Sequence, residues 1–164
     1  MVEKLDNLEQ LHEAIKTGLI AKLPGVPTID HYPKIGRRIT IPAVLIEMSE
    51  LEPGTDPGTG ETAFVGRIQA RAVVDPNSAK AEIMVRDLAA RIVMAIQHES
   101  WGLPIGVADF VQAGEDGMKP ELDSYLVWLV EWTHEFHLGE LVWPYPDESG
   151  LTIMLGLDPE TGLG

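Results

Sequence analysis

Residues 125–140 read YLVWLVEWTHEFHLGE and hold the side chains best suited by type to chemistry. His134 and His137 form a His-x-x-His pair, with Glu131 and Glu135 beside them. Two imidazoles and a carboxylate could hold a divalent cation, and a second carboxylate could act as general base. A metal-dependent hydrolase built on His134 or His137, or on His31 farther up the chain, is the enzyme this pattern would make. It requires the two imidazoles of the pair on one side of the backbone. Tyr125, Val127, Trp128, Val130 and Trp132 are β-formers, which makes the stretch a strand, and a strand alternates its side chains. Trp128, Val130, Trp132, His134, Phe136 and Leu138 then share one face. Glu131, Thr133, Glu135 and His137 share the other. The two histidines therefore part company. His134 is expected as a hydrogen-bonded, partly buried histidine in a tryptophan stripe that forms core under a helix.

Other routes to catalysis are equally thin. The chain has no cysteine, which removes thiolate nucleophiles, thiolate metal sites and disulfides together. It contains no G-x-S-x-G, no H-E-x-x-H and no phosphate-binding P-loop. "DPGTGE" has oxygens that calcium could use but lacks the repeated acids of a calcium loop, so it reads as a turn. Glu115 and Asp116 read as loop acids with no histidine nearby in sequence. No catalytic, cofactor-binding or metal-ligating residue is expected, and the chain is not expected to be an enzyme.

The elements that must position these residues are readable from periodicity. Leu5, Leu8, Leu11, Ile15, Leu19 and Leu23 recur at three and four, the stripe of an amphipathic helix. Asp6 and Glu9 resemble its capping box, Gly18 weakens it, and Pro24 with Gly25 ends it. Pro24 to Pro33 reads as a link without regular structure. "RITIPAVLIEMSEL" predicts a strand around 39–49, with Pro42 at a strand start, bulge or edge. A loop at about 50–61 follows, expected to be flexible in the free subunit and to order against a neighbour. "ETAFVGRIQARAVV" resumes the strand as the second arm of a long hairpin. Phe64, Ile68, Ala70, Ala72 and Val74 share its apolar face; Arg67, Gln69 and Arg71 share the polar one. Asp75 and Pro76 open a second helix whose stripe is Ala81, Val85, Leu88, Ile92 and Ile96, widened by Met84, Ala89 and Val93. "VADFVQAG" is a short strand, "EDGMKPELD" a loop, and residues of about 144–164 an extended tail. The fold class expected is α+β: one domain over residues 1–164, its mostly antiparallel, mixed sheet packed against two helices.

Size and charge narrow the function further. The 164 residues fit one domain. Twenty-six acids against twelve bases leave a net charge of −14, which disfavours nucleic-acid and anionic-membrane binding. The N-terminal "MVEKLDNLEQL" is acidic and amphipathic rather than a secretory leader, and no apolar run is long enough to span a bilayer. A soluble, cytosolic chain is expected.

Several segments together resemble the lambda-like tail-terminator family of long-tailed bacteriophages. "IPAVLIEMSELE" is similar to that family's strand before a long loop. "VEWTHEFHLGE" resembles its aromatic strand, with the W-x-x-x-x-x-L-G spacing from Trp132 to Gly139. "GLDPETG" resembles an aromatic-x-P-E-x-G tail segment, with Leu157 at the aromatic position. The helix from Ala79 to His98 stands in the matching place, so the resemblance spans most of residues 39–162. It implies a structural virion protein with no cofactor: a homo-oligomer, a hexameric ring capping the tail tube protein, stopping its polymerisation and docking to the head-tail connector protein. It places the protein at the head-proximal end of the virion tail, assembled in the host bacterial cytoplasm. DNA would pass through the lumen without specific binding, and the acidity of the ring would let it slide. A related head-tail connector or tube ring component is the alternative with the same fold. For the contact between copies, the sequence offers Arg67 and Arg71 on the hairpin against Glu131 and Glu135 on the aromatic strand. Pairing of these same residues within one sheet of one subunit is the other reading.

Overall fold

A computed structural model describes residues 3–32 and 39–140 of the chain. The first helix, α1 (Leu8–Lys22), buries Leu11, Ile15 and Leu19 along the expected stripe, with Leu5 and Leu23 buried at either side. Its cap lies one residue later than the sequence suggests. Asn7 Oδ1 accepts the Gln10 amide at 2.9 Å, and Gln10 Oε1 accepts the Asp6 amide at 2.7 Å. Asn caps as well as Asp, and a glutamine three residues on returns the bond as a glutamate would.

The stretch read as a link contains a strand, β1 (Thr28–His31), parallel to β2 (Ala43–Pro53). Four residues give too short a pattern to read locally; the pairing of Thr28–His31 with Ala43–Ile46 makes the strand. Pro42 lies immediately before β2, where its missing N–H breaks no ladder bond. β2 runs to Pro53, beyond the expected end, and pairs antiparallel with β3 (Thr62–Val74). Residues 50–53, read as loop, are therefore strand, and Gly54 N donates to Ala63 O at 3.0 Å where the connection begins.

Helix α2 (Ala81–Ile96) follows, but Asp75 does not cap it. Asp75 instead closes its own turn, Oδ1 accepting the Asn77 amide at 2.9 Å and the carbonyl accepting that of Ser78 at 3.1 Å. The short aspartate folds back on the chain two residues ahead, and the helix starts after Lys80. Val85, Leu88, Ala89, Ile92 and Ile96 are buried as expected, whereas Met84 is exposed. β4 (Asp109–Glu115), a 3-10 turn (Pro120–Leu122) and β5 (Leu126–Leu138) complete the described chain. The tail at 144–164 and its "GLDPETG" lie outside the described residues.

The five strands form one mixed sheet in the order β1-β2-β3-β5-β4. Its α+β class, with two helices against the sheet, is the architecture expected from the sequence. One face packs on α1 and α2 through Ile68, Ala70, Ala72, Val74, Val130, Trp132 and Phe136. The opposite face carries a smaller apolar cluster, Ala43, Leu45, Val73, Leu122 and Val127, at the end where the 3-10 turn lies. Register shifts between Met48 and Glu50 and between Phe110 and Gln112 mark bulges that sharpen the local twist.

Gly18, in the middle of α1, is explained by Trp101. A methyl at Gly18 would stand 2.3 Å from Trp101 Cε3, so the indole occupies the place of a side chain on the helix. Gly18→Ala sets two effects against each other. Helix propensity favours alanine by about 1 kcal/mol. Overpacking against the indole costs about 1–3 kcal/mol. The clash is with a half-buried ring that is also hydrogen-bonded to His134, so a net loss of about 1 kcal/mol is expected in urea denaturation. A more stable variant would contradict this packing.

Candidate functional site

The sheet face opposite α1 and α2 carries a lattice of polar side chains. Its alternation follows from β3 and β5, paired without a break from Thr62 opposite Leu138 to Val74 opposite Leu126. Glu47, Gln69, Glu131 and Gln112 lie in one row across β2, β3, β5 and β4. Gln69 Nε2 donates to Glu131 Oε2 at 2.9 Å, and Gln112 Nε2 donates to Glu131 Oε1 at 2.8 Å. Each oxygen of a carboxylate only 7% exposed is thus met by an amide. Burial alone would raise the Glu131 carboxyl, but the Gln112 and Gln69 amides and the guanidiniums of Arg67 and Arg71 outweigh it and hold it below the ordinary range.

Arg71 is the centre of the second half of the lattice. It is 3% exposed, and all three of its nitrogens have partners: Nε donates to Asp116 Oδ2 at 2.8 Å, Nη1 to Glu47 Oε2 at 2.9 Å and Nη2 to Gln69 Oε1 at 3.0 Å. Lys119 adds a second cation 3.4 Å from Glu47. The Tyr32 ring lies 5.5 Å from the Arg71 guanidinium and 5.1 Å from Lys119 Nζ, and its hydroxyl donates to Glu121 at 2.6 Å. Burial and that hydrogen bond push the Tyr32 phenol up to about 12. Arg67 lies nearer solvent, 3.3 Å from Glu50 and 3.7 Å from Glu131.

Three of the four residues singled out from sequence for a contact between copies therefore have partners within this chain. Arg67 and Glu131 meet directly, Arg71 meets Glu47 and Asp116, and Glu135 stands exposed on the same face, opposite Val65. Asp116, read from sequence as a loop acid, is the closest partner of Arg71. Nothing local could have shown this, because Asp116 is 45 residues away in sequence. Glu115 belongs to β4 rather than to a loop. Beside the lattice, Gly114 leaves an open depression of about 160 Å³ lined by Gln112, Ala113, Glu115, Leu129 and Glu131. Its lining presents carboxylates, an amide and apolar groups.

The three histidines singled out from sequence lie apart. His134 is 1% exposed on the helix side, and its Nδ1 lies 2.8 Å from the Gly106 carbonyl. Trp101 Nε1 and Trp132 Nε1 donate to its Nε2 at 2.9 and 3.0 Å. His137, on the other face, has Nδ1 3.9 Å from Glu61. His31 on β1 has Nε2 3.0 Å from Glu13 of α1. Among the described residues no three His, Asp or Glu side chains are grouped so as to hold a metal ion. Sequence reasoning placed His134 in the aromatic stripe but missed Trp101, whose only signal was an unexplained glycine in α1.

No family model matches this sequence, and no curated protein is similar to it.

The lattice predicts unequal arginines. Arg71→Met takes the cation from the largely buried Asp116 side chain and leaves Glu47 with Lys119 alone, a loss of about 3 kcal/mol. Arg67→Met removes a partly solvated pair and costs less than about 1 kcal/mol. Urea denaturation of the two variants measures the difference. Equal losses would contradict the burial of Arg71 as the organising charge.

Proposed function

We propose that this chain is a structural virion protein, a tail terminator of the lambda-like kind. Copies close into a hexameric ring on the last disc of the tail tube, stop its polymerisation and present the surface to which the head-tail connector docks. The protein uses no cofactor. DNA passes through the lumen without specific binding, and the net charge of −14 per copy keeps the wall repulsive to phosphate. The reading rests on the segments that resemble that family's, and the α+β class of the chain is compatible with it.

The observation that carries it is the unlike character of the two rims of the sheet. A closed ring needs head-to-tail contacts, in which one patch meets a different patch on the next copy. At one rim β4 is the end strand, with Phe110 and Val111 exposed on it and Val107 exposed just before it. At the other, among the described residues, β1 stops opposite Ile46 and β2 continues from Glu47 to Pro53 past it, with Leu51 exposed. Between the rims, Arg67 and Glu135 are among the charges of the open face that a neighbouring copy can reach, with Glu50 beside Arg67. Arg71 and Glu131 stand behind them, engaged within the chain.

Charge reversal at Arg67 tests the contact. Arg71 is left intact, because a glutamate there would place three carboxylates together inside the fold. Arg67→Glu is expected to retain the native circular dichroism spectrum and to lose ring formation in light scattering. Phage carrying it are expected to grow tails past their normal length. Rings and tail lengths unchanged by Arg67→Glu would overturn this interface.

A further inference from the structure

The ring of His134 fits its surroundings in only one protonation state. The Gly106 carbonyl can only accept, so Nδ1, 2.8 Å away, carries a proton. Nε2 is then a lone pair, and it takes two indole N–H groups, from Trp101 at 2.9 Å and from Trp132 at 3.0 Å. An indole nitrogen only donates. A proton on Nε2 would leave three N–H groups aimed at one another with no acceptor among them.

The two indoles are not held equally. Trp132 lies inside β5, in ladder with Ile68 of β3 and Phe110 of β4. Trp101 lies on the turn after α2, with φ +59 in the left-handed region, and His98 in the same turn has φ +62. Bulky residues occupy that region at a cost of order 1–3 kcal/mol each, so the turn persists only while its contacts hold it. Besides the bond to His134, those contacts include the seat of the indole against Gly18 of α1, the burial of Leu103 in the core, the pairing of Glu99 with Lys22, the Gly106 amide donating to the Glu135 carbonyl at 2.7 Å, and the Ala108 amide donating to the Glu99 carbonyl at 2.9 Å.

We infer that His134 is an acid-operated latch: a second proton on its ring expels the Trp101 indole and frees the 97–106 turn from β5 and α1 while the β3–β5 ladder stays closed. The turn leads directly into β4, so the latch also governs how firmly that exposed edge is held. Burial lowers the His134 pKa, and the Gly106 carbonyl and the charge of Glu99 raise it less, leaving it below the ordinary 6.5. Glu99 acts on it from the turn and is itself paired with Lys22 of α1. β3 places Gly66 opposite it, and the residues that α2 buries are all apolar. A lowered pKa gives a definite sign. Well above 6.5 the folded and unfolded chains both hold neutral imidazole and stability does not depend on this group. Below it the unfolded chain takes the proton first, so stability falls as acid is added, until the folded ring also titrates.

His12 is also lowered, by burial and by neighbouring His31, so a global melting curve would mix the two histidines. The test therefore reads the indoles themselves. In the full chain labelled with ¹⁵N at tryptophan, the Trp101 and Trp132 indole signals are followed from about pH 7.5 to about pH 5. They are expected to shift together with a midpoint below 6.5, while Trp128 stays unchanged. Exchange of the Trp101 N–H with solvent is expected to rise at least about ten-fold while β5 amides keep their protection. His134→Gln retains an acceptor oxygen and takes no proton, so it should abolish the transition. Indole signals that stay fixed while the other histidines titrate would overturn the latch, as would a transition that survives in His134→Gln. Loss of β5 protection at the same midpoint would overturn it too, because the event would be unfolding. If His134→Gln fails to fold, the ring-nitrogen signals of the wild-type chain decide. Protonation of Nε2 with no change in Trp101 exchange refutes the proposal.

Discussion

The register of β3 against β5 is the constraint on which the rest of the molecule depends. From Thr62 opposite Leu138 to Val74 opposite Leu126 the two strands stay in step, and each alternates apolar with polar side chains. A one-residue slip of β5 against β3 would turn charged residues such as Glu131 under the helices and Trp132 and Phe136 away from them. Uncompensated burial of such charges costs several kcal/mol each, so the slipped pairing is strongly disfavoured. Gly66 is a further consequence: a side chain there would come within 2.8 Å of the Phe136 ring, which needs that space to lie against β3. With the register fixed, α1 and α2 have one surface to dock on, and His134 is delivered to the inside, where only a neutral imidazole fits.

The same alternation turns the other face into a hydrogen-bonded charge lattice. Its cations, Arg67, Arg71 and Lys119, stand among Glu47, Glu50, Asp116 and Glu131, and the two glutamines bridge the row. Such a face is stable without a covering helix because its buried groups satisfy one another. It also leaves Arg67 and Glu135 near solvent over a rigid base.

Much of this was legible in the sequence because it is periodic. Alternation along 125–138 and 64–74 placed every residue of the core stripe and of the polar face on its correct side, and the spacing of leucines placed α1. What was not legible depends on partners distant along the chain. β1 exists only by pairing with Ala43–Ile46. The burial of Arg71 depends on Glu47 and Asp116, 24 and 45 residues away. Gly18 looked like a weak point of a helix until Trp101 was seen to fill its place. The caps at Asn7 and Lys80 shifted because several neighbouring residues could close each turn and packing selected among them.

Whether these faces build a ring on a tail is open to direct observation. Purified protein mixed with tail tubes and imaged in negative stain should show one ring at a single end of each tube, and capped tubes should not lengthen when tube subunits are added. Bare tubes that continue to grow, with the protein left monomeric in solution, would contradict the terminator reading.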